Sequence, residues 1–256
     1  MSSPERFGFE WNRYREIEDN YELQFRRWIM PLTERDFAGK KVLDAGCGMG
    51  RNSVWSLEWG AAELVAFDFD ERSVSVAKQN LSRFPNARVL FRNIYEITWE
   101  NEFDLVFSIG VIHHLEDPDR AVKNLVRAAK PNGRVLLWVY SFEGNEWIVR
   151  FVNPIRKLFT SRLSLPLVHA MGYLVSVPLW LLVKRFHGPS RYLAQLSKFS
   201  FRHIHSIVFD QLIPRVANYW TRDQALSLFH SSDIKDAYVY RPANQMGWTV
   251  IGRKRI

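Results

Sequence analysis

Short apolar runs alternate with amphipathic stretches along residues 38–140. Continuous apolar runs of about four to eight residues are typical of buried strands, whereas apolar residues spaced three and four apart are typical of helices. Five strands are predicted on this basis, at 41–44, 64–68, 89–91, 103–108 and 134–140. The predicted helices between them are 51–59, 73–83 and 119–129, with a turn at 130–133.

The order of these elements predicts the fold class. Strands separated by helices form parallel βαβ units, whose right-handed crossovers leave ligand sites at the carboxyl ends of the strands. Near the end of the chain, a helix at 221–229 with Thr221 as its N-cap precedes two further strands, at 234–240 and 248–253. We therefore predict an α/β fold with a doubly wound, Rossmann-like, seven-stranded sheet.

Two segments depart from the alternation. Residues 1–37 carry aromatic side chains at helical spacing up to Pro31 and are predicted as an N-terminal helical cap. Residues 141–220 contain no clear βαβ unit and are predicted as a hydrophobic helical insertion, or lid, after the fifth strand. The predicted organisation is a cap, a core of alternating strands and helices over 38–140, this insertion, and the end of the core over 221–256.

A glycine-rich loop, DAGCGMG at 44–50, joins the first strand to the first helix of the core. Glycine permits a tight turn and removes the side chain that would keep a ligand from the backbone, and the helix that follows presents free N–H groups. The third glycine comes one residue too early for the G-x-G-x-x-G of dinucleotide enzymes. An acidic residue, Asp44, also disfavours an anion here and favours an amino group or a sulfonium.

Polar residues at the ends of the next two strands suit a nucleoside. Asp68 ends the second strand, about 20 residues after the loop, where it can accept hydrogen bonds from ribose hydroxyls. Phe69 can cover one face of an adenine. Asn93 and Ile94 follow the third strand, where the amide can bind the adenine edge and the aliphatic side chain can stack. A non-catalytic α/β protein that binds another nucleotide is the alternative.

Three segments resemble one known family. VLDAGCGMG at 42–50 is similar to motif I of the class I S-adenosylmethionine-dependent methyltransferases, and FDLVFSIGVIHHL at 103–115 is similar to motif IV of their ubiquinone/menaquinone-biosynthesis-like, small-molecule branch. AKPNGRVL at 129–136 resembles the family's turn into strand five. The resemblance covers 38–140, and the last two strands resemble the family's antiparallel hairpin. It implies a mostly parallel sheet and S-adenosylmethionine as cofactor.

The resemblance also implies which residues hold the cofactor: the loop holds the methionine end, Asp68 the ribose, and positions 93 and 94 the adenine. The predicted cofactor-binding residues are Asp44, Gly46, Cys47, Gly48, Gly50, Asp68, Phe69, Asn93, Ile94, Ser108 and Gly110. Position 93 is usually Asp in the family and is Asn here. An amide oxygen accepts without charge assistance, so we expect a lower affinity for the cofactor.

The pair His113 and His114 lies just past the fourth strand. Methyl transfer from a sulfonium needs positioning of the nucleophile, and a base helps when the acceptor is a hydroxyl or a carbon acid. Imidazole titrates near neutrality, so both histidines are candidate catalytic bases. Adjacent residues on a short turn seldom face the same pocket; packing is favoured for His113, and base and packing stay equal for His114. No third ligand is suitably spaced, so no metal site is predicted.

The segment after the fourth strand bears on the acceptor. Family members that methylate base amines carry Asn/Asp-Pro-Pro-Tyr/Phe there, and this chain has Ser-Ile-Gly-Val at 108–111. The resemblance therefore favours an oxygen or carbon of a small molecule over a nucleic-acid base, and no DNA partner is expected. An RNA methyltransferase and a cofactor-binding, membrane-associated accessory protein without turnover are the alternatives.

The insertion contains a stretch at 163–183 without formal charge and with basic flanks. Its length suits a bilayer, but two prolines and a glycine argue against a spanning helix. A monotopic element against anionic headgroups and a lid over the acceptor pocket are the other interpretations. Both indicate a lipophilic acceptor. Polar residues farther along the insertion could contact the acceptor or face solvent: His203, His205, Asp210 and Tyr219.

Charge and cysteine content bear on location and partners. The formal net charge is +8, which can favour nucleic acid, anionic lipid or an acidic substrate. A single cysteine asks for no oxidising compartment, and the N-terminus lacks the apolar region of a signal peptide. We expect a cytoplasmic protein, with peripheral contact at the inner face of the membrane as an open alternative; the oligomeric state is left open.

Overall fold

A computed structural model describes residues 6–9, 13, 15–17, 20–186, 191–230, 233–241 and 246–256. The predicted N-terminal cap, the insertion and the connection between the last two strands therefore lie partly outside the described residues. Within those bounds the chain forms a seven-stranded sheet with helices on both faces.

The sheet has the seven predicted strands, numbered β1 to β7 along the chain, in the order β3-β2-β1-β4-β5-β7-β6. Strands β1 to β5 are parallel, and β7 is antiparallel to both β5 and β6, which confirms the doubly wound fold with a terminal antiparallel hairpin. The seven strands are Lys41–Ala45, Glu63–Asp68, Ala87–Phe91, Phe103–Ile109, Ala129–Tyr140, Ile234–Tyr240 and Gly247–Lys254.

Helices of the core follow the predicted pattern with small differences at their ends. They are α1 to α4 at Asn20–Trp28, Arg51–Glu58, Glu71–Asn80 and Pro118–Ala128, and α8 at Arg222–Ser227. The predicted helix 73–83 begins two residues earlier, because the Asp70 carboxylate accepts hydrogen bonds from the backbone N–H groups of Arg72 and Ser73 and caps it. Thr221 caps α8 as predicted, through a hydrogen bond from the backbone N–H of Gln224.

The turn predicted at 130–133 lies within the bounds of β5 instead of before it. The pairing of β4 with β5 shifts register between Phe103 and Leu105, and Asn132 has a φ of 61°. The extra residues form an irregularity in the strand, as in a β-bulge, so pairing continues on both sides of it.

The insertion is helical. Two π-helical turns, Ile148–Val152 and Arg156–Thr160, flank a short α-helical turn at Asn153–Ile155. The three helices that follow are α5, α6 and α7, at Leu165–Arg185, Arg191–Leu196 and Phe201–Leu212. Helix α5 packs against α7 and continues through Pro178. By length and composition α5 is a candidate membrane span.

A buried arginine joins the N-terminal residues to this insertion. The Arg6 guanidinium donates to the backbone carbonyls of Ile213, Leu163 and Thr160 at 2.6, 3.2 and 2.9 Å. Burial lowers the pKa of Arg6, and the three carbonyl dipoles compensate the lost hydration of its charge. Helical residues 6–9 are thereby fixed against the insertion.

Helix α1 packs on one face of the sheet through Phe25. Its ring lies 5.8, 5.2 and 5.6 Å from the rings of Phe37, Trp59 and Phe107, and its side chain is fully buried. Aromatic pairs at such distances add to the hydrophobic stabilisation from burial. The helix before the glycine loop is therefore part of the core.

Replacing Phe25 tests this packing. Phe25→Ala should lower the free energy of unfolding by about 3–5 kcal/mol, because it removes a buried ring and leaves a cavity. Leu23→Ala, in the same helix and 59% exposed, should change it by less than about 0.5 kcal/mol. Urea denaturation followed by circular dichroism measures both, and equal losses would contradict the assignment of Phe25 to the core.

Candidate active site

A cavity of about 620 Å³ lies at the carboxyl ends of the parallel strands, a volume within the range of small-molecule sites. Residues that follow or end each of the five parallel strands line one side of it. These are Gly46, Phe69, Asn93, Gly110 and Tyr140. Residues of helical segment 6–9, of α1 and of the insertion line the other side. The cavity therefore joins the strand ends to the insertion.

The glycine loop forms one wall. Gly46, Cys47 and Gly48 line the cavity, and Gly46 has a φ of 79°. A Cβ atom at Gly46 would lie 2.4 Å from Cγ2 of Val111, so the loop packs directly on the segment that follows β4. Gly50 lies at the N-cap of α2 and is not among the lining residues, so its role is to turn the chain into the helix.

Two carboxyl groups lie on either side of this loop, and only Asp68 lines the cavity. Asp68 Oδ2 accepts from the backbone N–H of Gly48 at 2.9 Å, and Oδ1 accepts from that of Asp70 at 3.1 Å. Burial raises the pKa of Asp68 to about 6, partly offset by these hydrogen bonds. The carboxylate therefore fixes the loop to the end of β2 while it faces the cavity.

Asp44 lies behind the loop. Its carboxylate accepts a hydrogen bond of 2.6 Å from the Ser53 hydroxyl of α2. Burial raises the pKa of Asp44 to about 7; the Ser53 hydrogen bond lowers it and the nearby Asp68 charge raises it. Asp44 is 1% exposed and is not among the lining residues. The arrangement makes it a link between β1 and α2.

The side of the cavity near β2 and β3 is aromatic and aliphatic. Phe69 and Phe91 stack with ring centroids 5.4 Å apart, and the buried Ile94 lines the cavity. The Asn93 amide oxygen accepts from the backbone N–H of Tyr95 at 3.0 Å, and its nitrogen donates to Glu96. Asn93 thus lines the cavity with an oxygen that already accepts one hydrogen bond.

Ser108 and Gly110 occupy the end of β4. The Ser108 hydroxyl is buried and donates to the carbonyl of Ala45 at 2.8 Å, which joins β4 to β1. Gly110 lines the cavity with a φ of 81°, and a Cβ atom added there would meet nothing within 4 Å. The space beside Gly110 is therefore open to a ligand, whereas Ser108 lies behind the wall.

Of the two adjacent histidines, only His114 lines the cavity. The Nδ1 of His114 lies 2.8 Å from the carbonyl of Val216; a carbonyl only accepts, so Nδ1 carries the proton and Nε2 the lone pair. Burial lowers the pKa of His114 to about 3. The imidazole is neutral at pH 7, as a base must be, but its basicity is reduced.

His113 is fully buried and stacks on Tyr140 with ring centroids 3.7 Å apart. Neither of its ring nitrogens has a hydrogen-bond partner among the described residues. Burial lowers the pKa of His113 well below its ordinary value. Its contacts are those of a packing residue that orients Tyr140 at the end of β5.

The end of β5 and the insertion supply three lining residues that the sequence patterns did not identify, beside two that they did. Tyr140, Gln211 and Arg215 line the cavity together with Asp210 and Tyr219. The Gln211 amide nitrogen donates to the Tyr140 hydroxyl at 3.3 Å. The buried Tyr219 hydroxyl and Gln211 amide oxygen have no partner within the described part of the chain. The only sequence signal for Tyr140 is an aromatic residue at the end of a predicted strand.

His203 and His205 do not line the cavity. His203 stacks on Phe199 at 4.0 Å, and His205 lies within hydrogen-bonding distance of His169 and Ser176 of α5, at 3.2 and 2.8 Å. Of the four polar insertion residues considered, the structure therefore brings only Asp210 and Tyr219 to the cavity. Among the described residues, no group of three or more His, Cys, Asp or Glu side chains is arranged to hold a metal ion.

The Asp44–Ser53 hydrogen bond makes a testable prediction about pH. The folded-state pKa of Asp44 is raised from 3.8 to about 7, so the stability linked to Asp44 falls as pH rises through that window. Ser53→Ala removes the donor that favours the ionised form. It should therefore lower the free energy of unfolding by about 1–3 kcal/mol at pH 8 and by less at pH 6.

Ser56→Ala is the matched control, because the Ser56 hydroxyl donates only to the carbonyl of Asn52 in the same helix. Its cost should be the same at both pH values. Urea denaturation of both variants at pH 6 and pH 8 gives the comparison. A loss for Ser53→Ala that does not depend on pH would contradict the link to Asp44.

Comparison with known sequences agrees with this geometry. A family model described as a methyltransferase domain matches residues 43–137. The mitochondrial ubiquinone biosynthesis O-methyltransferase of Schizosaccharomyces pombe is 34% identical over 105 residues, 40% of this chain and 38% of that protein. The tRNA U34 carboxymethyltransferase of Campylobacter hominis is 32% identical over 123 residues, which are 45% of this chain and 41% of that protein. The chain thus spans less than half the length of these curated relatives.

Comparison with solved structures supports the fold. Human N-acetylserotonin methyltransferase in complex with S-adenosylmethionine aligns with a TM-score of 0.59 and 15% identity, over all of this chain and 57% of that one. The magnesium protoporphyrin IX methyltransferase of Synechocystis PCC 6803 with bound SAH aligns with a TM-score of 0.57 and 12% identity, over 96% and 93%. Both likenesses concern the fold alone.

The cavity fits S-adenosylmethionine, the cofactor of this family. Asp68 presents a carboxylate that can accept from hydroxyls, and the loop at 46–48 presents backbone without bulky side chains. The open space at Gly110 leaves room beside β4. Residues 43–137 match the methyltransferase-domain family, this region is similar in sequence to a ubiquinone-biosynthesis O-methyltransferase, and the fold is that of S-adenosylmethionine-dependent methyltransferases of known structure.

Proposed function

We propose that the protein transfers a methyl group from S-adenosylmethionine to an oxygen or carbon atom of a small, lipophilic acceptor. The observation that carries this proposal is the continuity of the cavity. It runs from Asp68 and the glycine loop to apolar side chains of the insertion, Leu196, Phe199 and Ile207. A cofactor and an apolar acceptor can therefore share one enclosure from which the insertion excludes water.

In this proposal the strand ends bind the cofactor. Asp68 accepts hydrogen bonds from the ribose hydroxyls, the backbone of 46–48 binds the methionine end, and Ile94 and Phe69 cover the adenine. Asn93 binds the adenine edge, with one lone pair of its oxygen already used by Tyr95. Asp44, Gly50 and Ser108 act from behind the wall: they hold the loop and the strand ends in position.

His114 is the proposed base. When bound, the cofactor supplies an electrophilic methyl group. A hydroxyl acceptor must lose its proton as it is methylated, and His114 Nε2 is the ring nitrogen left to receive it, since Nδ1 is held by Val216. With its pKa lowered to about 3, the imidazole chiefly orients the hydroxyl and accepts the proton only as the acceptor becomes acidic.

The acceptor end combines an apolar wall with a few polar groups. Buried polar atoms without partners are costly, so Tyr219 Oη and Gln211 Oε1 favour a ligand that can hydrogen bond to them. An aromatic ring that carries hydroxyl groups and an apolar tail satisfies both requirements. We propose an acceptor of this chemical class and a cytoplasmic location for the reaction, with the single cysteine reduced and buried.

RNA is a second candidate acceptor, because a relative is named a tRNA carboxymethyltransferase and the chain has a net charge of +8. The apolar side chains that the insertion contributes to the cavity favour a small molecule. The third possibility, a cofactor-binding protein without turnover, would share the cofactor site and differ only in activity.

A transfer assay distinguishes these possibilities. Protein, S-[methyl-³H]adenosylmethionine and either a prenylated catechol or total tRNA are incubated together, and label is counted in the organic and the acid-precipitable fractions. We expect label in the organic fraction with the catechol. Label only in tRNA would establish RNA as the acceptor, and binding of the cofactor without label in either fraction would contradict the proposed acceptor class.

Cofactor binding should depend on the ionisation of Asp68. The folded-state pKa of about 6 means that the carboxyl is protonated at pH 5 and ionised at pH 8. If the ionised form binds ribose, affinity for S-adenosylhomocysteine should be about tenfold weaker at pH 5 than at pH 8. Isothermal titration calorimetry at pH 5 and pH 8 measures this affinity. Asp68→Asn should bind weakly with a flat pH profile between these values; an unchanged pH profile in this variant would contradict the role of Asp68.

His114 should affect turnover without affecting cofactor binding. His114→Asn should lower kcat with a hydroxyl acceptor by about 100-fold, within the usual range for a lost general base. Its affinity for S-adenosylhomocysteine should equal that of the wild type, which also verifies folding. A variant with normal kcat would show that His114 is a packing residue.

A further inference from the structure

The insertion presents a concentrated apolar surface. Fourteen of the twenty-one large apolar side chains exposed in the described residues lie between 147 and 186. They belong to the helical turns of 147–159 and to α5, and Leu174 reaches 77% exposure. We call this surface the apolar ridge. A cluster of this size on a soluble surface indicates contact with a partner or a membrane.

Helix α5 buries two polar side chains among apolar ones, and its outer side is apolar, whereas the outer side of a helix in a water-soluble protein is usually polar. The buried stripe includes His169 and Ser176, and both contact His205 of α7. From 166 to 182, every exposed side chain is aliphatic or aromatic. An outer side of this kind favours contact with apolar material.

The charge around the ridge identifies the chemistry of what covers it. Between residues 147 and 209 the chain has nine lysines and arginines and no aspartate or glutamate. The net charge of the whole chain is +8, so this segment accounts for all of the excess positive charge. Exposed cations flank the ridge on both helical segments: Arg150, Lys157, Arg162, Lys184 and Arg185. The positive charge of the protein is thus concentrated where the apolar surface is.

We infer that the apolar ridge is a monotopic membrane-binding surface that inserts into one leaflet of an anionic bilayer. Apolar side chains enter the boundary between headgroups and acyl chains, and the flanking cations contact acidic headgroups. A second copy of the chain fits less well, because it would bring two surfaces of the same strong positive charge together.

A spanning orientation of α5 also fits less well. Residues Val168, Gly172 and Val183 share the buried stripe with His169 and Ser176, and 28% of the apolar window is buried within the protein. To cross a bilayer, the helix would have to leave α7 and lose the hydrogen bonds of His169 and Ser176. Lying in the interface keeps these contacts and covers only the outer side.

Vesicle sedimentation tests the inference without cofactor or acceptor, so its result does not depend on the proposed function. Wild-type protein is mixed with vesicles of phosphatidylcholine alone or of phosphatidylcholine with phosphatidylglycerol. We expect stronger sedimentation with the anionic vesicles. The double variant Leu174→Ser/Leu181→Ser should bind them about tenfold more weakly, because two exposed side chains of the ridge become polar.

The control is Leu23→Ser/Tyr238→Ser, which changes two exposed apolar side chains outside the ridge and should bind like the wild type. Both variants should keep the wild-type affinity for S-adenosylhomocysteine. The inference is overturned if the ridge variant sediments with anionic vesicles like the wild type. It is also overturned if total tRNA displaces the wild type and both variants from these vesicles to the same extent. Light scattering gives a further test. A wild-type dimer that is lost only in the ridge variant, together with no binding of the wild type to vesicles, would also overturn the inference.

Discussion

The carboxylate of Asp68 connects three parts of the molecule at the carboxyl ends of the parallel strands. It ends β2, accepts a hydrogen bond from the glycine loop at Gly48, and accepts another from Asp70, the N-cap of α3. A buried carboxylate is costly unless its oxygens receive such donors. One of the two backbone donors that make it tolerable belongs to Gly48, which lines the cavity, so the stability of the strand ends and the shape of the cavity are linked.

The sheet could be predicted from the sequence because its central strands are covered on both faces. Continuous apolar runs then mark strands such as β1 and β4 directly, and their ends lie within two residues of the prediction. The irregularity at Asn132 could not be predicted from the sequence. Residues 130–133 can form a turn or a bulge, and the strand that pairs with them decides which. Helix α3 begins early for a local reason, the Asp70 cap, that the apolar pattern does not contain.

The structure brings some of the predicted site residues to the cavity and leaves others behind its wall. Gly46, Gly48, Asp68 and Gly110 lie at the cavity, whereas Asp44 and Ser108 of neighbouring strands point behind it, a difference that strand position alone does not reveal. The side of the cavity formed by the insertion was largely inaccessible to sequence reasoning. Gln211 and Tyr140 meet only because the insertion folds back over β5, and the contacts that hold it there join residues far apart in the chain.

The Arg6 contact has a consequence for how ligands exchange. Phe7 lies next to Arg6 in the same helical turn, lines the cavity and contacts His114 with ring centroids 4.7 Å apart. Displacing this turn from the cavity would break hydrogen bonds to carbonyls in two separate segments of the insertion, at 160–163 and at Ile213. Movement of the N-terminal turn away from the cavity would therefore require the buried Arg6 guanidinium to give up all three hydrogen bonds and regain water.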